Sequence, residues 1–326
     1  QVYSKLWNHG DECYLGGFND LGRNAIKGGN DQGWGSPTHL PGWGFISQGK
    51  GDASTNNRVA IEKMIYGAHG NAETTIGANP AQTVNYASCH DNWTLRDQLY
   101  YCLGDGTNPG NAYNIKDGVL TVESLIFASN GVAFMLGGEE ILRTKDVDLA
   151  SAAEIEDIPA DSYETMYGHR VSHNSYNSPL IVNSFKWNNK FSVKIDGVTM
   201  DTYDLTSKFA SLVSLHKKMP KYSYGELYEG DHPITSITTK GNYVLGASWA
   251  GDSECAIGIQ FDEYFIFAGG RQFGYISCDS ASIWGAPIYT AGTWNFDSVN
   301  KTVNVGDEFN GAGYACVIYN ARGGRA

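Results

Sequence analysis

"GVLTVESLIFASNGVAFMLGGEE", residues 118–140, is the stretch from which the fold class can be read. Val122, Leu125 and Ile126 fall on one face of a helix running from Gly118 to Ser129, and Asn130-Gly131 stops it. Val132 to Leu136 then reads as an unbroken apolar strand, the kind buried on both faces of a parallel sheet. That strand ends in Gly137-Gly138-Glu139-Glu140. Helix, apolar strand and polar strand end in this order are the signature of an α/β fold.

The same alternation extends outward. Tyr14 to Phe18 is a short apolar segment ending in Asn19-Asp20. A Gly/Trp/Pro-rich loop spans Asp31 to Asp52. Ala60, Ile61, Met64, Ile65 and Ala68 share a face of a helix from Arg58 to Ala68, and Thr83 to Ala87 is the next strand. Phe209, Leu212, Val213 and His216 mark a further helix, halted by Pro220. The order predicts a parallel sheet with helical crossovers over residues 1–220. From residue 221 to 326 the character changes. Apolar segments such as Tyr243–Trp249, Ala256–Phe261 and Ala315–Tyr319 recur between Gly, Asp and Asn turns, as in a separate all-β sandwich.

Composition narrows the ligand class. The formal charge over 326 residues is 23 − 35 = −12. An acidic surface argues against nucleic acid and anionic membranes, and suits a neutral substrate. Glycine at 40 residues, with 20 Tyr and 8 Trp, suggests shaped loops and flat stacking surfaces of the kind that sugars need. The six cysteines (13, 89, 102, 255, 278 and 316) show no CxxC and no metal-ligand spacing. Cys89 and Cys102 read as free thiols, and the three in the last third leave room for one bridge. No apolar run reaches the ~18 residues of a membrane span. The chain opens with Gln1, so a native start is expected to be missing, and the lack of a signal peptide is uninformative. The compartment stays open, with a location outside the cell or at its surface preferred to the cytoplasm.

Polar residues gather where the parallel strands end, which is the mouth of the active site in a (β/α) barrel. Asn19 and Asp20 read as loop capping, with Asp20 as the cap. Glu139 reads as a solvated or salt-bridged carboxylate. His90 and Asp91 stand apart in "NYASCHDNWTL", residues 85–95. Neighbouring polar residues leaving a strand point in different directions and can meet different parts of one ligand. A carboxylate suits a transition state that develops positive charge and accepts bonds from sugar hydroxyls. An imidazole donates to a neighbouring hydroxyl.

"TVNYASCHDNWTLRDQL", residues 83–99, resembles the seventh-strand motif of type I pullulanases, in the α-amylase superfamily of glycoside hydrolases. "GVAFMLGGEEILRTK", residues 131–145, resembles their eighth strand and its loop. "NSYNSP", residues 174–179, resembles the segment after it, and "GGFNDLGRNAIKG", residues 16–28, their sixth-strand region. The motifs stand in family order over roughly residues 14–220. The resemblance implies the C-terminal portion, strands six to eight, of a (β/α)₈ TIM barrel followed by an all-β sandwich. It also implies retaining hydrolysis of α-1,6 branch linkages in pullulan, starch or glycogen. In that mechanism one carboxylate attacks the anomeric carbon, a second is acid and then base, and a third stabilises the oxocarbenium-like state.

By the resemblance, Asp91 holds that third, catalytic position. His90 matches the substrate-contacting histidine of the same subsite, and Asn92 a neighbouring contact. Arg143, Asn174, Tyr176 and Asn177 fall where the family's loops line the branch-side subsites. For Arg143 an ion pair with Glu140 is the competing reading. Tyr176 offers a stacking face and a hydroxyl together, and Trp34 or Trp43 is a further candidate platform. Leu180 replaces the acidic residue usual after "NSP", and the segment from Asp146 to Val171 is longer than the family's. No metal or cofactor is implied, and a structural calcium is left open.

The family's nucleophile and acid/base belong to strands four and five, and neither motif precedes Gly16. This chain alone is therefore expected to be inactive, with the N-terminal half of the barrel as its missing partner. Other readings are an isoamylase or α-amylase, or a non-catalytic glucan-binding module. Upstream sequence carrying both carboxylates would exclude the module. Release of linear maltodextrins from pullulan would separate debranching from α-amylase action.

Overall fold

The computed structural model describes residues 17–30, 39–47, 55–65, 67, 69–70, 75–76, 83–219, 243–250, 253–261, 263–278, 286–307, 309 and 313–320. Three short strands form a parallel sheet. β1 (Gly17–Phe18) pairs with β2 (Thr83–Tyr86), which pairs with β3 (Val132–Phe134). Phe18 stands beside Val84, Val84 beside Val132, and Tyr86 beside Phe134. Helices α1 (Asp20–Lys27) and α2 (Thr55–Ile65) connect the first pair, and α3 (Leu95–Cys102) and α4 (Ala112–Phe127) the second. The parallel sheet expected from the alternation is present; its second and third strands end at Tyr86 and Phe134, short of the expected Ala87 and Leu136, and Tyr14 to Gly16 of the first expected strand lies outside the described residues.

The starts of α1, α3 and α4 each have a side-chain cap that satisfies an otherwise orphaned amide. Asn19, and not Asp20 as the sequence suggested, caps α1 by accepting from Gly22 N at 3.0 Å. Asp20 is the first helical residue, and its carboxylate instead accepts the Tyr86 hydroxyl at 2.6 Å. Thr94 caps α3 and Asn111 caps α4. α4 is buried nearly all round, from Gly118 to Phe127, because it lies between the parallel sheet and the β sandwich. α5 (Tyr203–Lys218) packs beside it, with Phe209 and Leu212 buried and the basic residues His216, Lys217 and Lys218 in its last turn. That charge placement suits the negative end of the helix dipole.

Val132–Phe134 departs from the expectation of burial on both faces: Val132 is 45% exposed and Phe134 37%. The reason is that α4 covers one face of the sheet, and Val132 and Phe134 lie on the other, which the described residues cover only in part, with Arg23 over the Tyr86 ring. On that open face Phe18, Tyr86 and Phe134 form an edge-to-face aromatic cluster, with Phe18–Tyr86 centroids 4.9 Å apart.

The sandwich has a five-stranded antiparallel sheet and a three-stranded one. In the larger sheet, β4 (Tyr243–Ala250), β5 (Ser253–Phe261), β6 (Tyr264–Gly269), β11 (Ala315–Asn320) and β8 (Tyr289–Gly292) lie side by side in that order. The smaller sheet is β7 (Gly274–Ser277), β10 (Thr302–Val305) and β9 (Trp294–Asp297), in that order. Period-two alternation divides the strands of the larger sheet between two cores. Tyr264, Ile266, Ala268, Cys316 and Ile318 join the cluster that contains α4 and α5. Phe265, Phe267, Val317 and Tyr319 face the smaller sheet with Val303 and Val305. Both faces are covered, so these strands read as continuous apolar runs. The bridge allowed for the late cysteines is not formed among the described residues: Cys255, Cys278 and Cys316 are thiols. Cys316 belongs to one core and Cys278 to the other, on opposite faces of the larger sheet.

Candidate active site

The site grows from the end of β2. Asn85 points away from the open face, accepting from Asn19 and donating to Ser129, each at 2.8 Å, which ties the central strand to its neighbours. The chain then leaves the sheet through Ser88 and Cys89. His90 and Asp91 follow with side chains 87% and 67% exposed, the imidazole Nε2 lying 3.5 Å from the carboxylate. Asn92 reverses the chain with φ of +60°, a conformation in which Asn is among the tolerated residues. Trp93 then drives into the core, 1% exposed.

Residues of the "ILRTK" segment hold this loop from beneath. Asp97, in the first turn of α3, accepts from the Thr144 hydroxyl at 2.5 Å and from the Lys145 amide at 2.8 Å. The Lys145 ammonium reaches the carbonyls of His90 and of Asn92, the latter at 2.8 Å. Burial lowers the Lys145 pKa to about 8. Trp93 links the second candidate segment to the first. Its ring lies 5.4 Å from that of His173, the residue before Asn174, and His173 in turn stacks on His39 at 4.4 Å.

Asn174, Tyr176 and Asn177 are exposed, with Tyr176 at 85%. Their backbone is fixed by a turn from Ser175 to Ser178 and by Asn183, whose side chain donates to the Ser175 carbonyl at 2.7 Å. Arg143 donates to the carbonyls of Gly137 and Asn183 at 2.9 and 2.6 Å and lies over the Phe185 ring. Glu140 accepts the Gly138 amide at 2.8 Å. No Glu140–Arg143 ion pair is formed among the described residues, so the competing reading of that pair is replaced by two separate backbone braces. Trp34 lies outside the described residues. Trp43 is half-buried against Tyr101.

Glu139 is a correction. It is neither solvated nor paired with a basic side chain, but 3% exposed and within hydrogen-bonding reach of Glu123 on α4, itself fully buried. As two carboxylates these groups would face each other with no donor between them. A proton on one makes the contact a hydrogen bond. Ser88 donates to the other Glu139 oxygen. Burial, and then the second carboxyl, hold Glu123 well above the usual range, and burial lifts Glu139 to about 7. Nearby, burial lowers the Lys27 ammonium to about 7.

These shifts carry a pH prediction. Between the ordinary carboxylate range and about pH 7 the folded chain holds protons that the unfolded chain has released, so stability falls as pH rises across that window. One such group contributes on the order of 3 kcal/mol. Above pH 7 the proton kept on Glu123 and the proton missing from Lys27 act in opposite directions, and the slope flattens. Urea unfolding from pH 4.5 to 9 checks this. Glu123→Gln, which supplies a permanent donor to Glu139, is expected to weaken the dependence below pH 7.

Asp146, Asp148 and His169 place one ligand atom each within 4.8 Å of one another. Arg170 already forms an ion pair with Asp148 at 2.6 Å, which accounts for part of that charge. A cleft of about 80 Å³ is lined by Arg96, Asp97, Tyr100, Asp146 and His169, among others; neither His90 nor Asp91 lines it.

No family model matches the chain. A pullulanase of Bacillus subtilis (strain 168) is 24% identical over 227 residues, which is 69% of this chain and 25% of that protein. The solved pullulanase of Bacillus acidopullulyticus superimposes with a TM-score of 0.60 at 19% identity, over 95% of this chain and 31% of that one. The catalytic module of a multi-modular glycogen-degrading pneumococcal virulence factor gives a TM-score of 0.69 at 17% identity, over 98% and 45%. The chain resembles pullulanases in sequence and in fold. It spans about a quarter of the length of the curated pullulanase and less than half of each of these two solved chains.

Sequence reasoning missed the supports of this site. Lys145 and Asp97 lie inside the quoted motifs, and their adjacency to polar loop residues was the only signal. The Glu123–Glu139 pair left none, since its members come from a helix and a loop that only folding brings together.

Proposed function

We propose that the chain is the glucan-gripping part of a retaining α-glucan hydrolase that cleaves α-1,6 branch linkages, contributing strands six to eight of a TIM barrel and the C-terminal sandwich. The observation that carries this reading is the pair His90–Asp91, exposed side by side beyond the C-terminal end of the central parallel strand and braced from beneath. In this reading Asp91 stabilises the cationic sugar ring and His90 contacts a hydroxyl. Asn92 and the exposed Asn174, Tyr176 and Asn177 bind further along the glucan, and Arg143 shapes their loop. The nucleophile and acid/base come from the missing part of the barrel. The open face bearing Phe18, Val132 and Phe134 supports a barrel wall continuing there. A location outside the cell or at its surface belongs to the same reading.

Purified alone, the 326-residue chain is expected to release no reducing ends from pullulan, because positioning residues cannot replace covalent chemistry. It is expected to bind maltotriose, and His90→Ala is expected to weaken that binding. Calorimetry with a reducing-sugar assay checks both. Pullulan hydrolysis by the chain alone, or maltotriose binding untouched by His90→Ala, would overturn the assignment.

A further inference from the structure

We propose that Lys145 is a positioning residue: its ammonium sets the conformation of the loop that presents His90 and Asp91 to the glucan. The proposal deepens the reading of this pair as a glucan clamp and rests on it.

The loop from His90 to Asn92 is short, and its carbonyls on either side of Asp91 turn onto one buried nitrogen. An ammonium has three donors and no acceptor, so it can hold both peptide planes at once. With the His90 and Asn92 carbonyls turned inward, the His90 and Asp91 side chains stand outward, 87% and 67% exposed. The positive φ of Asn92 completes the reversal, and buried Trp93 anchors its far end.

A simpler role for Lys145 would be to neutralise Asp97. The contacts argue otherwise. Asp97 meets Lys145 through the main-chain amide, and its other oxygen takes the Thr144 hydroxyl. The hydrogen bonds of the lysine nitrogen go to the loop. Lys145 is 1% exposed, and burying an ammonium is costly unless it is well bonded. Asp97 and Thr144 thus fix the root of the lysine, and the lysine fixes the loop.

The test compares the 326-residue chain with its Lys145→Met variant, which keeps most of the length of the side chain and removes the donors. With circular dichroism unchanged, amide exchange at Asp91, Asn92 and Trp93 is expected to rise roughly tenfold or more, and maltotriose affinity to fall roughly tenfold. Lys145→Gln, which keeps an amide donor group on a shorter side chain, is expected to restore part of the loss. Unchanged exchange overturns the proposal, as does a loosened loop with maltotriose affinity preserved. If the wild-type chain binds no maltotriose, the glucan reading fails, and the exchange result alone decides whether Lys145 holds the loop. If Lys145→Met does not fold, the wild-type chain is titrated by NMR from pH 6 to 10. The Asp91 and Trp93 amides are then expected to shift with the midpoint of the Lys145 ammonium, and amides that stay still overturn the proposal.

Discussion

An Asp91→Asn substitution, in a protein that also carries the nucleophile and acid/base, is expected to lower kcat by ~10²–10³ with a much smaller change in KM. Asparagine keeps the size of the side chain and one acceptor oxygen, so the contacts to ground-state hydroxyls are largely retained. It removes the negative charge, which matters most as the sugar ring becomes cationic. An interaction realised mainly in the transition state appears in kcat and kcat/KM together. Asp91 is exposed, and among the described residues its carboxylate meets only the His90 ring, so the variant is expected to fold normally by circular dichroism. A kcat within a few-fold of the parent value on pullulan would show that the carboxylate is only a loop feature. His90→Ala is expected to be milder and to raise KM, because a hydroxyl contact present throughout the reaction is lost.

Trp93→Ala is expected to destabilise the chain by ~3–5 kcal/mol, the range for removing a fully buried aromatic side chain. Trp93 is 1% exposed and belongs to the main apolar core. Its indole nitrogen also donates to the carbonyls of Asn30 and His39, at 2.9 and 3.2 Å. The ring therefore joins three segments: the loop after α1, the His90–Asn92 loop and the segment entered by His173. Trp93→Phe keeps most of the apolar volume and loses the donor, and is expected to cost less than half as much. Urea unfolding of the two variants separates packing from hydrogen bonding. A Trp93→Ala midpoint near that of the wild type would mean that the core closes around the gap.

Much of the architecture was legible in the residues because periodicity is local. Alternation between helical and strand patterns indicated a parallel sheet, and Pro220 and the later turn residues marked the change to antiparallel β structure. Pairs of polar residues at strand ends directed attention to His90 and Asp91. Local patterns were less decisive where one residue could serve two roles. Asn19 and Asp20 are both competent caps, and the structure uses Asn19 because Asp20 faces the Tyr86 hydroxyl.

What the sequence determined by itself was the order of elements, the place of His90 and Asp91 where a strand ends, and the resemblance of its motifs to pullulanases. Tertiary structure decided how that loop is held. Lys145 is separated from Asn92 by 53 positions, and Glu139 from Ser88 by 51. Neither contact follows from a helical or strand period. The open face of β3 was equally hidden: Val132–Phe134 has the same apolar pattern whether one face of the sheet is covered or both. Burial depends on what packs across the sheet, and a hydrogen bond to a distant carbonyl depends on where the chain returns. Both are settled by packing between segments remote in sequence, which local propensity does not encode.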